Sequence, residues 1–138
     1  MNNGGVIWFN AEWWNGNPQG NGCSNKDNIN EILTLLESEI RADSDLGYTS
    51  NSELSSNTAV QNSGLPATQD QNATVIFTGG TPVYISNASS GSLTITAFEK
   101  IGSGILYVSG DSNTAFNWGY DGLNKNIYNG LRYLVINS

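Results

Sequence analysis

Residues 92–111 read SLTITAFEKIGSGILYVSGD, and this stretch decides the fold that the sequence predicts. Its first part, up to Glu99, alternates polar and apolar residues, which is typical of a strand with one buried face. Gly102 and Gly104 mark a turn. The apolar run from Ile105 to Val108 is typical of a strand buried on both faces. The stretch therefore predicts a hairpin that leads into a buried strand.

Three further apolar runs predict strands elsewhere in the chain. They lie at Val6–Phe9, Thr74–Thr78 and Val83–Ser86, and each is bounded by glycine, asparagine or proline. Because Val6–Phe9 contains no polar residue, we expect it to be a central strand that is buried on both faces.

Helical spacing of apolar residues predicts one helix after the first strand and another at the end of the chain. Ser24 or Asn25 is the candidate N-cap of the first helix. The apolar residues of this helix are Ile29, Ile32, Leu33, Leu36 and Ile40. The closing helix has a stripe formed by Leu123, Ile127, Leu131, Leu134 and Val135.

The segment from Ala42 to Ala73 contains few large apolar residues and many of Ser, Asn, Thr, Asp and Gln. A loop of that length without secondary structure is unusual in a compact domain. We therefore expect one short helix around Ser52 to Ser56 and a brief strand near Tyr48.

The order of these elements predicts the fold class. A strand, a helix, a mixed middle segment, several strands and a final helix indicate an α/β domain with a mostly parallel central sheet and an antiparallel C-terminal extension. The length of 138 residues fits a single domain, residues 1–138, which can be one module of a larger polypeptide.

Charge and composition exclude several classes of function. Five basic residues against twelve acidic ones give a net charge of −7, so nucleic acid and anionic membrane surfaces are poor partners. No apolar window is long enough to span a bilayer. The chain has no histidine and one cysteine, Cys23, so neither a Ser-His-Asp nor a Cys-His site can form. We expect no catalytic residues, metal or cofactor, and the abundance of uncharged polar residues favours an extracellular or cell-surface protein of bacteria.

A candidate ligand site follows from the predicted parallel strands, because the carboxyl ends of such strands meet at one rim of the sheet. The residues that follow three of the strands are therefore expected to lie together. They are Asn10, Glu12, Trp13, Trp14, Gly79, Gly80, Asp111 and Asn113.

The chemistry of this predicted rim is open to two interpretations. Trp13 and Trp14, among neighbouring amides, can present an indole face to carbohydrate, or can instead be buried for structural reasons. Glu12 and Asp111 can act as an acid and a base if burial separates their pKa values, although Asp111 can equally cap a turn. Gly79 and Gly80 are expected to form a tight turn.

The C-terminal third resembles a known family. Lys100–Asn113, Phe116-Asn117 and Asn126–Leu134, together with Val6–Asn17 near the start, resemble small domains of the class I glutamine amidotransferase-like superfamily. The resemblance implies a flavodoxin-like, three-layer sandwich. It does not carry catalysis across, because the amidotransferases use a cysteine on a strand-to-helix elbow with a histidine, whereas Cys23 precedes the first helix and histidine is missing.

These observations lead to three expectations about function. The first is a non-catalytic binding or structural module of a bacterial surface or secreted protein. The second is a carbohydrate-binding or carbohydrate-active domain that uses Trp13 and Trp14 with Glu12 and Asp111. The third is a subunit that self-associates. The expected partners are carbohydrate or another protein.

Overall fold

The fold is described by a computed structural model that covers residues 4–11, 13–14, 23–47, 52–69, 74–88, 91–110 and 121–137. The strands in these ranges are β1 (Val6–Asn10), β2 (Trp13–Trp14), β3 (Cys23–Ser24), β4 (Arg41–Gly47), β5 (Ser52–Leu54), β6 (Thr68–Gln69), β7 (Thr74–Thr78), β8 (Thr81–Ala88), β9 (Gly91–Ile101) and β10 (Gly104–Ser109). The helices are α1 (Lys26–Leu35), α2 (Thr58–Gln61) and α3 (Asp121–Asn137).

The main sheet has the strand order β1-β10-β9-β8-β5-β6. Only β1 and β10 are parallel among its described pairs, with Val6 opposite Ile105 and Asn10 opposite Ser109. The other neighbours, β10 with β9, β9 with β8, β8 with β5 and β5 with β6, are antiparallel. The predicted α/β fold, a flavodoxin-like sandwich with a mostly parallel sheet, is therefore wrong.

Connection length explains this error. Two residues separate β8 from β9 and two separate β9 from β10, and links this short can join only antiparallel neighbours, because a parallel crossover needs about a dozen residues or more. The hairpin predicted over residues 92–111 is confirmed. An apolar run indicates a strand, but it does not show in which direction the neighbouring strand runs.

The main sheet buries an apolar cluster on each face. On the first, here called the α1 face, α1 and the antiparallel pair β4–β7 cover the sheet. Its buried members are Ala11, Ile29, Leu33, Ile40, Ala42, Val75, Phe77, Ala97, Leu106 and Val108. On the second, here called the α3 face, α3 and α2 cover the sheet. Its buried members are Val60, Leu65, Val83, Tyr84, Phe98, Ile105, Tyr107, Ile127, Leu131 and Leu134.

The predicted first helix is confirmed as α1, with Ile29 and Leu33 buried. It ends at Leu35, so Ile40, which was expected to continue the helical stripe, lies just before β4 and is buried there. Asn25 is the N-cap residue, but its side chain makes no capping bond to the helix. Instead its Nδ2 donates to the main-chain oxygen of Asn10 at 3.3 Å, which ties the start of α1 to the end of β1.

Four hydrogen bonds that involve side chains connect the parts of the α1 face. Asn30 Nδ2 donates to the main-chain oxygen of Ala42, and Asn30 Oδ1 accepts from the Ala42 N–H, both at 2.8 Å. The amide of Asn30 thus pairs with β4 as a neighbouring strand would. Beyond the helix, a Glu99 carboxylate oxygen accepts from the Ser38 hydroxyl and from the Glu39 N–H.

The middle segment corrects one prediction. The short helix expected at Ser52–Ser56 is instead β5, and the helix begins later, at Thr58. Asn57 sets this start, because its Oδ1 accepts from two N–H groups of the first turn. Pairing with β8 fixes β5 as a strand, which local sequence does not reveal. Tyr48, near which a brief strand was predicted, lies outside the described residues, directly after β4.

The remaining strands and the closing helix agree with the sequence pattern. The strands predicted at Thr74–Thr78 and Val83–Ser86 are confirmed as β7 and β8, and the closing helix is confirmed as α3. Ile127, Leu131 and Leu134 are buried against the α3 face. The side chain of Leu123 lies outside the described part of the helix.

Candidate functional site

Two of the predicted rim residues, Gly79 and Gly80, lie away from the rim. The ends of β1 and β10 do lie side by side, at Asn10 and Ser109. However, β7 runs the other way, because it is the Val75 N–H, at its start, that donates to the Gly110 oxygen beside this rim. Its end, with Gly79 and Gly80, lies several residues away along the sheet.

Gly79 and Gly80 form a tight turn, as predicted, but the turn packs against the α1–β4 connection. Both have positive φ, 74° and 65°. A Cβ on Gly79 would lie 2.2 Å from the Glu39 oxygen, and a Cβ on Gly80 would lie 2.6 Å from an Ile40 side-chain carbon. These glycines therefore allow a close approach of two backbone segments and do not face the rim.

The other predicted site residues can be placed only in part. Trp13 and Trp14 form β2, opposite Ser24 and Cys23 of β3, and their side chains are outside the described residues. Glu12, Asp111 and Asn113 also lie outside the described ranges. The carbohydrate site built on these residues stays a prediction.

Apart from Gly79 and Gly80, Asn10 is the predicted site residue whose side-chain surroundings are described. Its side chain is half-buried, and its Oδ1 is enclosed with no hydrogen-bond partner among the described residues. Strand alternation places Asn10 on the α3 face, in one row with Ser109 and Thr96.

The α3 face also carries the other enclosed polar atoms that lack a partner in the described structure. They are Trp8 Nε1, Thr96 Oγ1 and the Tyr107 hydroxyl. Trp8 and Tyr107 are opposite each other in the parallel pair and meet edge to face, with ring centroids 5.5 Å apart. Burial, and secondarily the nearby Tyr84, raises the pKa of Tyr107 well above its ordinary value, so its hydroxyl stays protonated.

A groove lies between the edge strand β1 and helix α3, with a volume of about 550 Å³. It is lined by Gly5, Val6, Trp8, Tyr128, Asn129, Leu131, Arg132 and Val135. Val6 is 40% exposed and Tyr128 is 69% exposed, so large apolar surfaces of both walls face solvent. Arg132 is the one charged residue among these described lining residues.

The main chain of β1 adds hydrogen-bonding groups to this groove. The Ile105 N–H donates to Gly5 O at 2.9 Å, and the Ala11 N–H donates to Ser109 O at 2.7 Å. These two bonds fix the alternation of the ladder, so the N–H and C=O groups of Val6 and Trp8 point away from β10. No described residue supplies a partner for them, whereas the outward oxygen of Asn10 is taken by Asn25.

Sequence reasoning missed this groove because it assigned Val6–Phe9 to the centre of the sheet. The apolar pattern is the same for a central strand and for an edge strand whose side chains are half-covered. Arg132 and Tyr128 gave a weak signal, as polar or exposed positions beside the apolar stripe of α3, but nothing in the sequence places α3 beside β1.

A second, more open depression of about 590 Å³ lies on α1 and is lined by Asp27, Asn30, Glu31, Thr34 and Leu35. Within the described ranges, no group of three His, Cys, Asp or Glu side chains is arranged to hold a metal ion. None of the described helices has the length and apolar character needed to cross a membrane.

Comparisons with known proteins gave no match. Scans against protein families, against curated protein sequences and against solved structures each found nothing similar at the threshold applied. The resemblance to the glutamine amidotransferase-like superfamily accordingly stays a hypothesis, and the flavodoxin-like sheet that it implied is not the one observed.

Proposed function

We propose that this chain is a non-catalytic binding module and that it holds a segment of another protein in the groove between β1 and α3. The observation that carries the proposal is an apolar edge strand, with main-chain groups that no described residue pairs with, beside an open, apolar groove. Native proteins normally protect such an edge with charge, proline or a covering element. An edge that none of the described elements covers suits a partner.

The composition of the groove supports binding rather than catalysis. The described residues of its lining include no carboxylate and no thiol, and the polar side chains among them are those of Trp8, Tyr128, Asn129 and Arg132. The complete chain has no histidine. Apolar walls with a few polar groups that orient a ligand are the usual make-up of a binding site.

The proposal includes the setting expected from composition, a bacterial surface or secreted protein. Only 12% of residues are charged, and uncharged polar residues supply much of the remainder. A module of this kind would act by holding a neighbouring protein in place.

The test is selection of ligands from a library of random short peptides displayed on phage, with the whole chain as bait. Two residues of α3 provide a matched pair of variants: Tyr128 is 69% exposed and lines the groove, and Ile136 is 68% exposed and does not. We expect Tyr128→Ala to lower the affinity for the selected peptides about tenfold, because aromatic anchor residues contribute most of the binding energy of such interfaces. Ile136→Ala should leave affinity unchanged. Equal effects of the two changes, or failure to select any peptide, would contradict the proposal.

A further inference from the structure

The part of the β1 edge that no described residue pairs with is short. Val6 and Trp8 direct their N–H and C=O groups outward, and the Asn25 side chain takes the next outward oxygen, that of Asn10. The open part of the edge therefore offers four adjacent main-chain groups in two residues. Their spacing is that of a β-ladder, which an extended chain matches and a helix does not.

From this edge we infer that the bound segment is an extended peptide strand, which pairs with β1 at Val6 and Trp8 and places one carboxylate against Arg132. The inference rests on the proposed function and names the class of partner. Strand addition of this kind draws affinity from main-chain hydrogen bonds and specificity from alternate side chains.

The side chains of β1 support a strand as the occupant. Val6 and Trp8 face the α3 side, and Ile7 and Phe9 face the α1 side. All four are partly exposed. A strand added beside β1 would cover apolar surface on both faces of the sheet at once. A helix lying in the groove would cover only the α3 side and would leave the β1 main chain unpaired.

Charge defines the polar feature of the partner. Among the described residues that line the groove, Arg132 is the one that is charged, in a chain with a net charge of −7. A carboxylate beside Arg132 gains a local ion pair, whereas a run of acidic residues would be repelled by the rest of the protein. The structure therefore favours an otherwise apolar segment with a single Asp or Glu.

A second copy of this chain fits the edge less well. Antiparallel pairing of two β1 strands would bring two Arg132 guanidinium groups along one seam and would join two bodies each carrying a charge of −7. Like charges that meet at an interface oppose association. The favoured occupant is thus a segment of a different protein.

The main-chain part of the inference is tested with two variants at one position. Val6→Pro removes an outward N–H without touching the bonds to β10, and Val6→Ala makes a similar loss of side chain but keeps that N–H. We expect Val6→Pro to lower the affinity for the phage-selected peptides at least about fivefold more than Val6→Ala does, because Val6→Pro removes a hydrogen bond at the strand edge. Circular dichroism checks that both variants are folded.

A second measurement does not depend on changing the protein. Peptides that are N-methylated at one residue at a time lose one main-chain donor each. We expect sensitivity at alternate positions, because only every other residue of an added strand faces β1. Uniform tolerance of N-methylation would overturn strand pairing.

The charge part is tested by a double-mutant cycle. Arg132→Gln is combined with replacement of the acidic residue of a selected peptide by its amide. We expect each single change to weaken peptide binding, and the two changes together to weaken it little more than one change alone. The coupling between the two positions should be about threefold in affinity, which is the size expected for an exposed ion pair. No coupling, or selection of peptides without an acidic residue, would overturn this part.

The outcomes separate this inference from the proposed function. One outcome is that peptide binding depends on Tyr128 but is unaffected by Val6→Pro and by N-methylation of the peptide. This outcome would overturn strand addition but would still support the proposed binding groove. Failure to select peptides, together with concentration-dependent dimers in sedimentation that Val6→Pro dissolves, would overturn both and identify a second copy as the occupant.

Discussion

The two faces of the main sheet bury apolar clusters of similar size, but they treat polar groups differently. On the α1 face, Asn30 is bonded twice to Ala42, and Ser38 and the Glu39 N–H are bonded to Glu99. On the α3 face, four side chains each have a buried polar atom with no described hydrogen-bond partner. They belong to Trp8, Asn10, Thr96 and Tyr107.

The polar groups of the α1 face are thus hydrogen-bonded, whereas several of those on the α3 face have no described partner. An enclosed polar atom without a partner costs free energy, so the α3 face is less stable than its apolar area suggests. The groove with the free β1 edge also lies on this face. Local departures from good packing are expected where a protein binds or acts. Four predictions test whether the contrast between the faces is real, from the largest expected effect to the smallest.

The largest effect is expected on the α1 face, for Gly79→Ala. A Cβ there would lie 2.2 Å from the Glu39 oxygen, and φ is 74°. We expect a loss of more than about 3 kcal/mol in the free energy of unfolding, measured by urea denaturation, since both backbone strain and a backbone clash contribute.

Gly64 is the matched control for that change. Its φ is 75°, and a Cβ there would meet nothing within 4 Å. Gly64→Ala should therefore cost only the left-handed backbone term, about 1 kcal/mol. Equal losses for the two variants would show that the α1–β4 connection is not packed tightly against the turn.

The second prediction concerns Ser38→Ala on the same face. The Ser38 hydroxyl donates to Glu99 and accepts from the buried Ile40 N–H at 3.0 Å, so its removal leaves the Ile40 N–H unsatisfied and takes one of two donors from the Glu99 carboxylate. We expect a loss of about 2 kcal/mol in urea denaturation. Thr34→Ala, at an exposed hydroxyl of α1, should change stability by less than about 0.5 kcal/mol. A neutral Ser38→Ala would remove the distinction between the faces.

The third prediction is a loss of stability at alkaline pH that originates on the α3 face. Burial raises the pKa of Tyr84 and of Tyr107 above the ordinary value of 10.0, so both stay protonated in the folded chain while the unfolded chain ionises. The contribution of these two tyrosines to the free energy of unfolding is therefore fully present below about pH 10. Above that pH it falls by about 1.4 kcal/mol per pH unit for each tyrosine.

Tyr107→Phe separates the contribution of one tyrosine. The slope of unfolding free energy against pH, measured by urea denaturation above about pH 10, should decrease by about 1.4 kcal/mol per pH unit. An unchanged slope would mean that Tyr107 ionises in the folded chain and is not enclosed.

The fourth prediction is a gain in stability, whereas the first two are losses. Thr96 is fully buried, and its hydroxyl has no described partner. Thr96→Val replaces that hydroxyl with a methyl of similar size and should stabilise the chain by about 1 kcal/mol in urea denaturation. A loss of stability would show that the hydroxyl is hydrogen-bonded in solution, and the α3 face would then be as well satisfied as the α1 face.

Much of the local structure could be predicted from the sequence. The hairpin over residues 92–111, helix α1 and helix α3 depend on spacing and turn residues that are close together in the chain, so their signals are local. The strand β5 at Ser52–Leu54 could not be predicted, because it forms through pairing with β8, about thirty residues away.

The candidate site could be predicted only to a small extent. Asn10 lies at the end of β1 as expected, but Gly79 and Gly80 pack elsewhere because β7 runs the other way. Val6, Trp8 and Arg132 were not singled out, because their importance depends on β1 being an edge strand next to α3.

The sequence by itself determined which segments are strands or helices over most of the chain, which residues are apolar enough to be buried, and that histidine chemistry is excluded. Only the tertiary structure decided the strand order, the direction of β7, the edge position of β1 and the groove beside it. The physical reason is that side-chain periodicity reports burial along one segment, whereas the order and direction of strands depend on hydrogen bonds between segments that are far apart in the chain.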